Sequence, residues 1–577
     1  MPRSRLHVVL AIFLAATSIV SAVLVRLSLL EASAAGAQVP SEGSPTPFAV
    51  DEIWVVNAYF TNLEQVHRVA GRIEPWEVRY DRGYMVLAVD SAQYLWLLDL
   101  GLRVEIDQEL TASLNRPQLA LPDQTSGIPG YPCYRTIEET FASAQKIAAD
   151  HPHLATWIDI GDSWKRVAFG SDSGYNMWVL RLTNDQVAGP KPKLFVISSI
   201  HARENAPAEL NTRFAEYLVS NYGVDPDVTW FLDYHEIHLL LQANPDGRER
   251  AESLLLWRKN ANNNYCANTN YRGADLNRNF EFQWGCCGGS SSFTCDETYR
   301  GPNPVSEPET QAIQSYMRSI FPDQRDASLS SAAPPDATGI FIDLHSYGEL
   351  VLWPWGFTAN LPPNSAALRT LGRKFAWFNG YSPEQSIGLY PTDGATDDFA
   401  YGDLGVAGYT FELGTAFFQS CSSFENTILT DNLPALLYAA KVARTPYQTP
   451  AGPDSLSLAV SPAVLLSGST AMLSATIDAT RFSGGESTQT IAAAEYYIDI
   501  PPWVTGATPA PFSLVPVDGS FDETTEVVSA SIDSSGLGLG RHILFVRGQD
   551  ATGSWGPFSA AFLNIFENPH FLPVIMK

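Results

Sequence analysis

From about Cys133 to Tyr447 the chain alternates apolar runs of strand length with segments of helical period. That alternation limits the possible folds more than any other feature of the sequence. NMWVLRLT, KLFVISSI, IHLLLQA, GIFIDLHSY, LVLWPWG and GYTFELG read as strands, KLFVISSI and GIFIDLHSY being largely apolar. Between them lie segments such as TIEETFASAQKIAADHP, AELNTRFAEYLVSNYG and ETQAIQSYMRSIF, whose apolar residues recur at helical spacing. A strand that is apolar throughout is buried on both faces, and crossover helices supply the cover. The expectation is an α/β domain with a mixed, largely parallel sheet flanked by helices. In such sheets functional side chains gather just beyond strand C-termini.

Other patterns flank this region. Residues 1–37 hold a basic start (Arg3, Arg5), an apolar run from about Val8 to Val25, and small residues at Ala32, Ala34, Ala35 and Ala37. That order reads as a secretory signal peptide. Residues 48–108 read as a small α+β unit, with strands WVVNAYF, YMVLAVD and VEID and helices NLEQVHRVAG and DSAQYLWLLDLG. A Pro- and Gly-containing stretch over 109–130 reads as a linker. A small folded unit and a cleavable linker ahead of a larger domain suggest a pro-segment. The α/β domain then occupies 131–448. Over 453–567 short alternating runs split by Gly, Pro and Ser predict an Ig-like or fibronectin-like β-sandwich. Residues 568–577 form an apolar tail too short to span a bilayer.

Composition narrows the partners. The 577 residues carry a formal net charge of -26, and an acidic surface repels a nucleic-acid backbone. Nucleic acid is therefore not expected, nor is a stable membrane span once the signal is removed. The six cysteines are compatible with disulfides outside the cell, but their pairing is not deducible from sequence. A zinc knuckle of Cys286, Cys287 and Cys295 competes with that reading, although adjacent cysteines suit one tetrahedral metal poorly.

The chemistry concentrates at three apolar strands. KLFVISSI runs into His201-Ala202-Arg203-Glu204, and a helix starts soon after. A His and a Glu three residues apart at such a corner can point at one metal ion. GIFIDLHSY places His345 at the end of another strand. Two His and one Glu leave a coordination position for water, the pattern of catalytic zinc. GYTFELG ends in Glu412, and a carboxylate on a buried strand needs a reason to be there. A general base beside the metal is such a reason. His235 and His238, in DYHEIHLLL, lack the helical zinc-binding spacing and read as structural.

In order, HARE, NPDG, LWRKN, DLNRNF, ETYRG, LHSY, LYPTDGATDDFAYG and FELG resemble the zinc carboxypeptidase family of the A and B type, over about Tyr134 to Tyr447. WGCCGGSSS followed by ETYRG is closest to the bacterial carboxypeptidase T-like branch. The resemblance implies one Zn2+ held by His201, Glu204 and His345. It implies Glu412 as the general base for zinc-activated water, and Arg258 as the group that polarises the scissile carbonyl. Asn277 and Arg278 match the pair that grips the terminal carboxylate, and Tyr390 the tyrosine that closes over the bound residue. Arg203 also falls among the substrate-binding positions. Asp275 matches a carboxylate that orients the first zinc histidine.

Asp397 falls where B-like members carry an aspartate for Lys or Arg. Acceptance of C-terminal Lys or Arg is therefore expected, with apolar residues also possible as in some T-like members. The implied protein is a secreted, extracellular bacterial zymogen acting on peptides or proteins with a free C-terminus. Its C-terminal sandwich would hold a cell-surface or extracellular partner. The alternatives are a related zinc amidohydrolase, deacylase or wall-peptide hydrolase, and a non-catalytic binding protein on this scaffold.

Overall fold

A computed structural model of the chain describes residues 53–115, 119–253, 256–486, 488–504 and 506–567. The expected signal peptide (1–37) and apolar tail (568–577) lie outside the described residues. Residues 53–115 begin with a four-stranded antiparallel sheet in the order β2-β3-β1-β4, where β1 is Trp54–Tyr59, β2 Glu77–Arg79, β3 Tyr84–Val89 and β4 Arg103–Ile106. Two helices accompany it, Leu63–Ala70 and Ser91–Asp99. Asp90 and Gln93 close a reciprocal capping box on the second, satisfying donors that a helix start leaves free.

The stretch expected to be a loose linker is partly ordered. Gln108–Leu114 is a helix capped by Asp107, and it is tied to β1 by the Thr111 hydroxyl, which accepts from Val55 N at 2.9 Å and donates to the Val55 carbonyl at 3.3 Å. Further on, the Gln124 amide donates to Ser126 and Ile128 carbonyls, and Ile128 is buried in the main core. The exposed part is shorter, around Leu119 to Asp123.

The central sheet has eight strands: β5 Ala155–Asp162, β6 Asn176–Leu182, β7 Lys193–Ser198, β8 Glu236–Leu240, β9 Ile340–His345, β10 Leu350–Trp353, β11 Ser382–Gln385 and β12 Ala407–Glu412. Their order is β11-β10-β12-β9-β7-β8-β6-β5. The pairs β10–β11, β12–β9, β9–β7 and β7–β8 are parallel, and the other three antiparallel. The continuous apolar runs have the expected cause. In β7, Leu194 and Val196 face a core built with Leu210, Phe214, Leu368 and Leu436. Phe195 and Ile197 face the opposite core, with Ile313, Met317 and Phe399. Alternate residues of one strand thus serve two layers of helices.

The C-terminal part holds β13 Asp454–Ser461, β14 Val464–Leu466, β15 Thr470–Asp478, β16 Ile491–Ile498, β17 Phe512–Pro516, β18 Thr525–Asp533, β19 Gly540–Asp550 and β20 Ser559–Phe566. They run in the order β13-β15-β18-β17-β16-β19-β20-β14, with β17 joining the two halves. Leu473, Ile477, Val528 and Ile532 of one half pack on Leu544, Val546, Leu563 and Ile565 of the other. This part is fastened to the α/β domain. The Lys374 ammonium meets Asp454 at 3.1 Å with both buried, and Trp503 packs against Trp230 and Tyr234.

All six cysteines are paired, as Cys133–Cys421, Cys266–Cys295 and Cys286–Cys287. The zinc-knuckle alternative fails, since its three sulfurs are spent in two disulfides. Among the described residues no helix is long and apolar enough to cross a membrane.

Candidate active site

Three parallel neighbours, β12, β9 and β7, end side by side. Glu412 is the last residue of β12 and His345 the last of β9, and they are register partners. His201 follows β7 by three residues, and Glu204 immediately precedes the helix Asn205–Asn221 with its side chain free of any capping bond. Sheet register therefore brings together groups that are 144 residues apart in the chain.

The imidazoles of His201 and His345 approach with their Nδ1 atoms 3.0 Å apart. The Glu204 carboxylate lies 2.8 Å from Nδ1 of His201 and 3.2 Å from Nδ1 of His345. On the far side, Nε2 of His201 faces Asp275 at 3.2 Å and Nε2 of His345 faces Asp343 at 3.0 Å. With each Nε2–H donated to a carboxylate, each Nδ1 presents a lone pair. Two lone pairs and a carboxylate aimed at one point repel each other unless a cation sits among them. Among the described residues this is the group whose ligand atoms all lie within 4.8 Å of one another. Nitrogen and oxygen donors in this number fit zinc.

Asp275 is fully buried and holds two things at once. Its Oδ1 faces His201, and its Oδ2 accepts from Nε of Arg258 at 3.0 Å. Burial would raise its pKa, but Arg258 and His201 hold it well below the usual carboxylate range. Arg258 is thereby aimed across the metal group, its Nη1 3.2 Å from Nδ1 of His201. Arg278 is buried beside it. Its Nε donates to the Gly289 carbonyl at 3.0 Å and its Nη1 to the Asn277 carbonyl at 2.8 Å. The Asn277 Oδ1 accepts from Thr396 N at 2.9 Å. Burial pushes the Glu412 carboxyl up to about 8.

One cavity is lined by His201, Arg258, Asn277, Arg278, His345, Tyr390, Asp397 and Glu412. Asp397 is 4% exposed and accepts from the Ser386 hydroxyl at 2.8 Å. Burial raises its pKa. A buried carboxylate with one hydroxyl and one backbone donor retains acceptor capacity facing this cavity.

The same cavity is also lined by a residue that sequence reasoning did not single out, Glu74 of the N-terminal unit. Its carboxylate bonds the guanidinium groups of Arg203 and Arg258, and accepts from the Tyr390 hydroxyl at 3.1 Å. Burial opposes ionisation, yet Arg258 and Arg203 pull the Glu74 pKa down to about 2. Glu297 completes the chain, accepting from Arg203 at 2.6 Å and from the Glu74 backbone N at 2.9 Å. Around this plug, Arg72 forks onto Asp296 at 2.8 and 3.0 Å. Tyr80 donates to the Leu389 carbonyl at 2.6 Å, and Trp76 packs edge-on against Phe417. Nothing local marks Glu74 among 62 acidic residues. Asp343, also unnamed from sequence, carries a readable signal, because it lies two residues before His345 on one strand and so shares its face.

The other histidines have structural partners. His238 faces the Tyr316 hydroxyl at 2.8 Å. His235 is not a strand residue but ends the helix Pro226–Tyr234, with Nδ1 on the Ala440 carbonyl at 2.8 Å.

Comparison with known proteins follows the same region. The zinc carboxypeptidase family model matches residues 141–432. A zinc carboxypeptidase of Saccharothrix mutabilis subsp. capreolus is 32% identical over 351 residues, spanning 58% of this chain and 75% of that protein. Carboxypeptidase B of Bos taurus is 30% identical over 323 residues, 54% of this chain and 70% of the relative. Among solved structures, carboxypeptidase A from Helicoverpa armigera superposes with a TM-score of 0.56 at 21% identity, covering 68% of this chain and 98% of that one. Thrombin-activatable fibrinolysis inhibitor gives 0.53 at 20% identity, with 68% and 99% covered. At these identities the structures speak for the fold.

Proposed function

This chain belongs to the zinc carboxypeptidase family, whose members are zinc-dependent peptide hydrolases, and on that premise we propose a secreted zymogen that removes C-terminal Lys or Arg. The observation that carries the proposal is one cavity lined by His201 and His345 of the His201–Glu204–His345 group together with Arg258, Asn277, Arg278, Glu412 and Asp397. A zinc ion held by His201, Glu204 and His345 would supply a Lewis acid and a water acidic enough to attack near neutral pH.

The chain's own residues do the rest. Arg278 and Asn277 receive the terminal carboxylate, which selects peptides with a free C-terminus. A planar guanidinium suits that bidentate task. Arg258, fixed by Asp275, stands where the scissile carbonyl oxygen gains charge, and a fixed cation in a dry site stabilises that charge strongly. Glu412 accepts a proton from the attacking water and delivers it to the amine that leaves as the C–N bond breaks. Asp397 at the cavity wall pairs with a cationic side chain, and Tyr390 covers the bound residue once Glu74 no longer occupies its hydroxyl. Asp275 and Asp343 fix the tautomer and orientation of the two histidines.

Glu74 supports the zymogen reading. Its carboxylate occupies Arg203, Arg258 and Tyr390 together, so a substrate carbonyl or carboxylate finds those donors taken. Full pairing of the cysteines supports export.

The test is hydrolysis of matched peptides ending in Arg, Leu and Glu, and of the Arg peptide with an amidated end. Cleavage of Arg well above Glu, with the amide resistant, is expected. Equal rates on Arg and Glu would sink the specificity, and rapid cleavage of the amide would sink the carboxypeptidase assignment.

A further inference from the structure

Asp393 is fully buried on the segment between Tyr390 and Asp397. Every donor the structure gives its carboxylate comes from one short loop. Oδ1 accepts from Gly285 N at 3.3 Å and from the Ser290 hydroxyl, and Oδ2 from Cys287 N at 3.2 Å and Gly289 N at 2.9 Å. Four donors satisfy the carboxylate's oxygens without an ion pair. The loop is further stiffened by the Cys286–Cys287 bond. Its Gly289 carbonyl is the acceptor that holds Nε of Arg278.

The two segments meet too closely for side chains. A Cβ on Gly289 would lie 2.5 Å from Thr392 backbone atoms. Gly394 has φ +66°, and a Cβ there would meet the Arg278 carbonyl at 2.6 Å. Phe280 N donates to the Gly394 carbonyl at 3.0 Å, and Thr396 N to Asn277 Oδ1 at 2.9 Å. Residues 277–280, 285–290 and 392–396 therefore form one block, with the Asp393 carboxylate at its centre. Asn277 and Arg278 belong to this block, Tyr390 and Asp397 flank its 392–396 segment, and all four line the cavity. The His201–Glu204–His345 group and Glu412 are carried by the sheet instead.

We infer that Asp393 is a positioning residue for substrate: by gathering the 285–290 loop it fixes the Gly289 carbonyl, and through it the Arg278 guanidinium that receives the terminal carboxylate. The inference rests on the carboxypeptidase reading above. The terminal carboxylate does not change charge during hydrolysis. Its contact is equally strong in ground and transition states, so its loss appears in KM rather than kcat.

The experiment measures kcat and KM for an Arg-terminated peptide with the zinc-loaded full chain, its linker cut where activity requires it. Inhibition by free arginine and by argininamide is measured alongside. Misplacing a binding group by about 1 Å costs roughly a hundredfold, so Asp393→Ala is expected to raise KM about ten- to a hundredfold with kcat held within about threefold. Free arginine should lose most of its advantage over argininamide, since the amide lacks the carboxylate that Arg278 reads. Asp393→Asn and Ser290→Ala, each keeping part of the network, should show smaller shifts in the same direction, and they carry the test if Asp393→Ala does not fold. An unchanged KM, or a fall in kcat alone, overturns the inference while leaving the enzyme reading intact. A wild-type protein that does not cleave the peptide overturns that reading and the inference with it.

Discussion

Replacing Glu74 by Ala should wake the uncut chain. The carboxylate is buried between two guanidinium groups and a tyrosine hydroxyl. Removing one partner of a buried charge network costs about 3–5 kcal/mol. The low end applies here, because Arg203 keeps Glu297 and Arg258 keeps Asp275. About 3 kcal/mol corresponds to an open fraction roughly a hundredfold larger, at 1.36 kcal/mol per decade. By contrast the Arg72–Asp296 fork is partly solvated, with the Arg72 side chain 41% exposed. Arg72→Ala should therefore raise uncut activity only a few fold, in line with about 0.2–1 kcal/mol for exposed pairs. The assay is hydrolysis of an Arg-terminated peptide by uncut wild type, E74A and R72A, repeated after cleavage in the exposed 119–123 run. Equal activity of uncut wild type and uncut E74A, with both chains fully active once cut, would refute the reasoning.

The same contact sets a pH expectation. Glu74 is lowered from 4.5 to about 2 in the closed form, so its stabilisation is complete above about pH 4.5 and fades as pH falls toward 2. The uncut chain should stay inhibited through mild acid, as residual activity measured at about pH 5 and at about pH 8 will show.

Three further outcomes follow from the structure. Asp397→Ala should cut kcat/KM for Arg-terminated peptides about ten- to a hundredfold, the worth of one charge-assisted bond, while Leu-terminated peptides change little. Arg278→Lys should raise KM sharply for every peptide, because an ammonium cannot reproduce a planar two-pronged grip. Cys133→Ser with Cys421→Ser should lower the apparent melting temperature, since the bridge closes a loop of 288 residues and such bonds contribute about 2–5 kcal/mol.

The sequence is informative where burial is two-sided. β7, β9 and β12 are largely apolar because helices cover both faces; β9 and β12 end in His345 and Glu412, and His201 follows the end of β7 by three residues. β11, with sequence SPEQ, has no such pattern and is held by parallel pairing to β10 at the sheet edge. The helix Pro226–Tyr234 is short, and its Asp-Pro start also reads as a turn. Within the site, Asp343 was not named from sequence, although strand periodicity puts it on the face of His345. Glu74 was not legible, because its three partners lie between 129 and 316 residues away and its own neighbours say nothing about them. Asp393 was not, because three of its four donors are backbone N–H groups, which leave no trace in side-chain chemistry.

The most direct measurement pairs zinc analysis of the purified protein with the kinetics of Glu412→Gln. If three side chains hold the ion while Glu412 moves the proton, the variant and the wild type should each carry about one zinc per chain. Its kcat should fall about a hundred- to ten-thousandfold. A variant turning over at the wild-type rate, or zinc content that survives His201→Ala and His345→Ala together, would contradict the account.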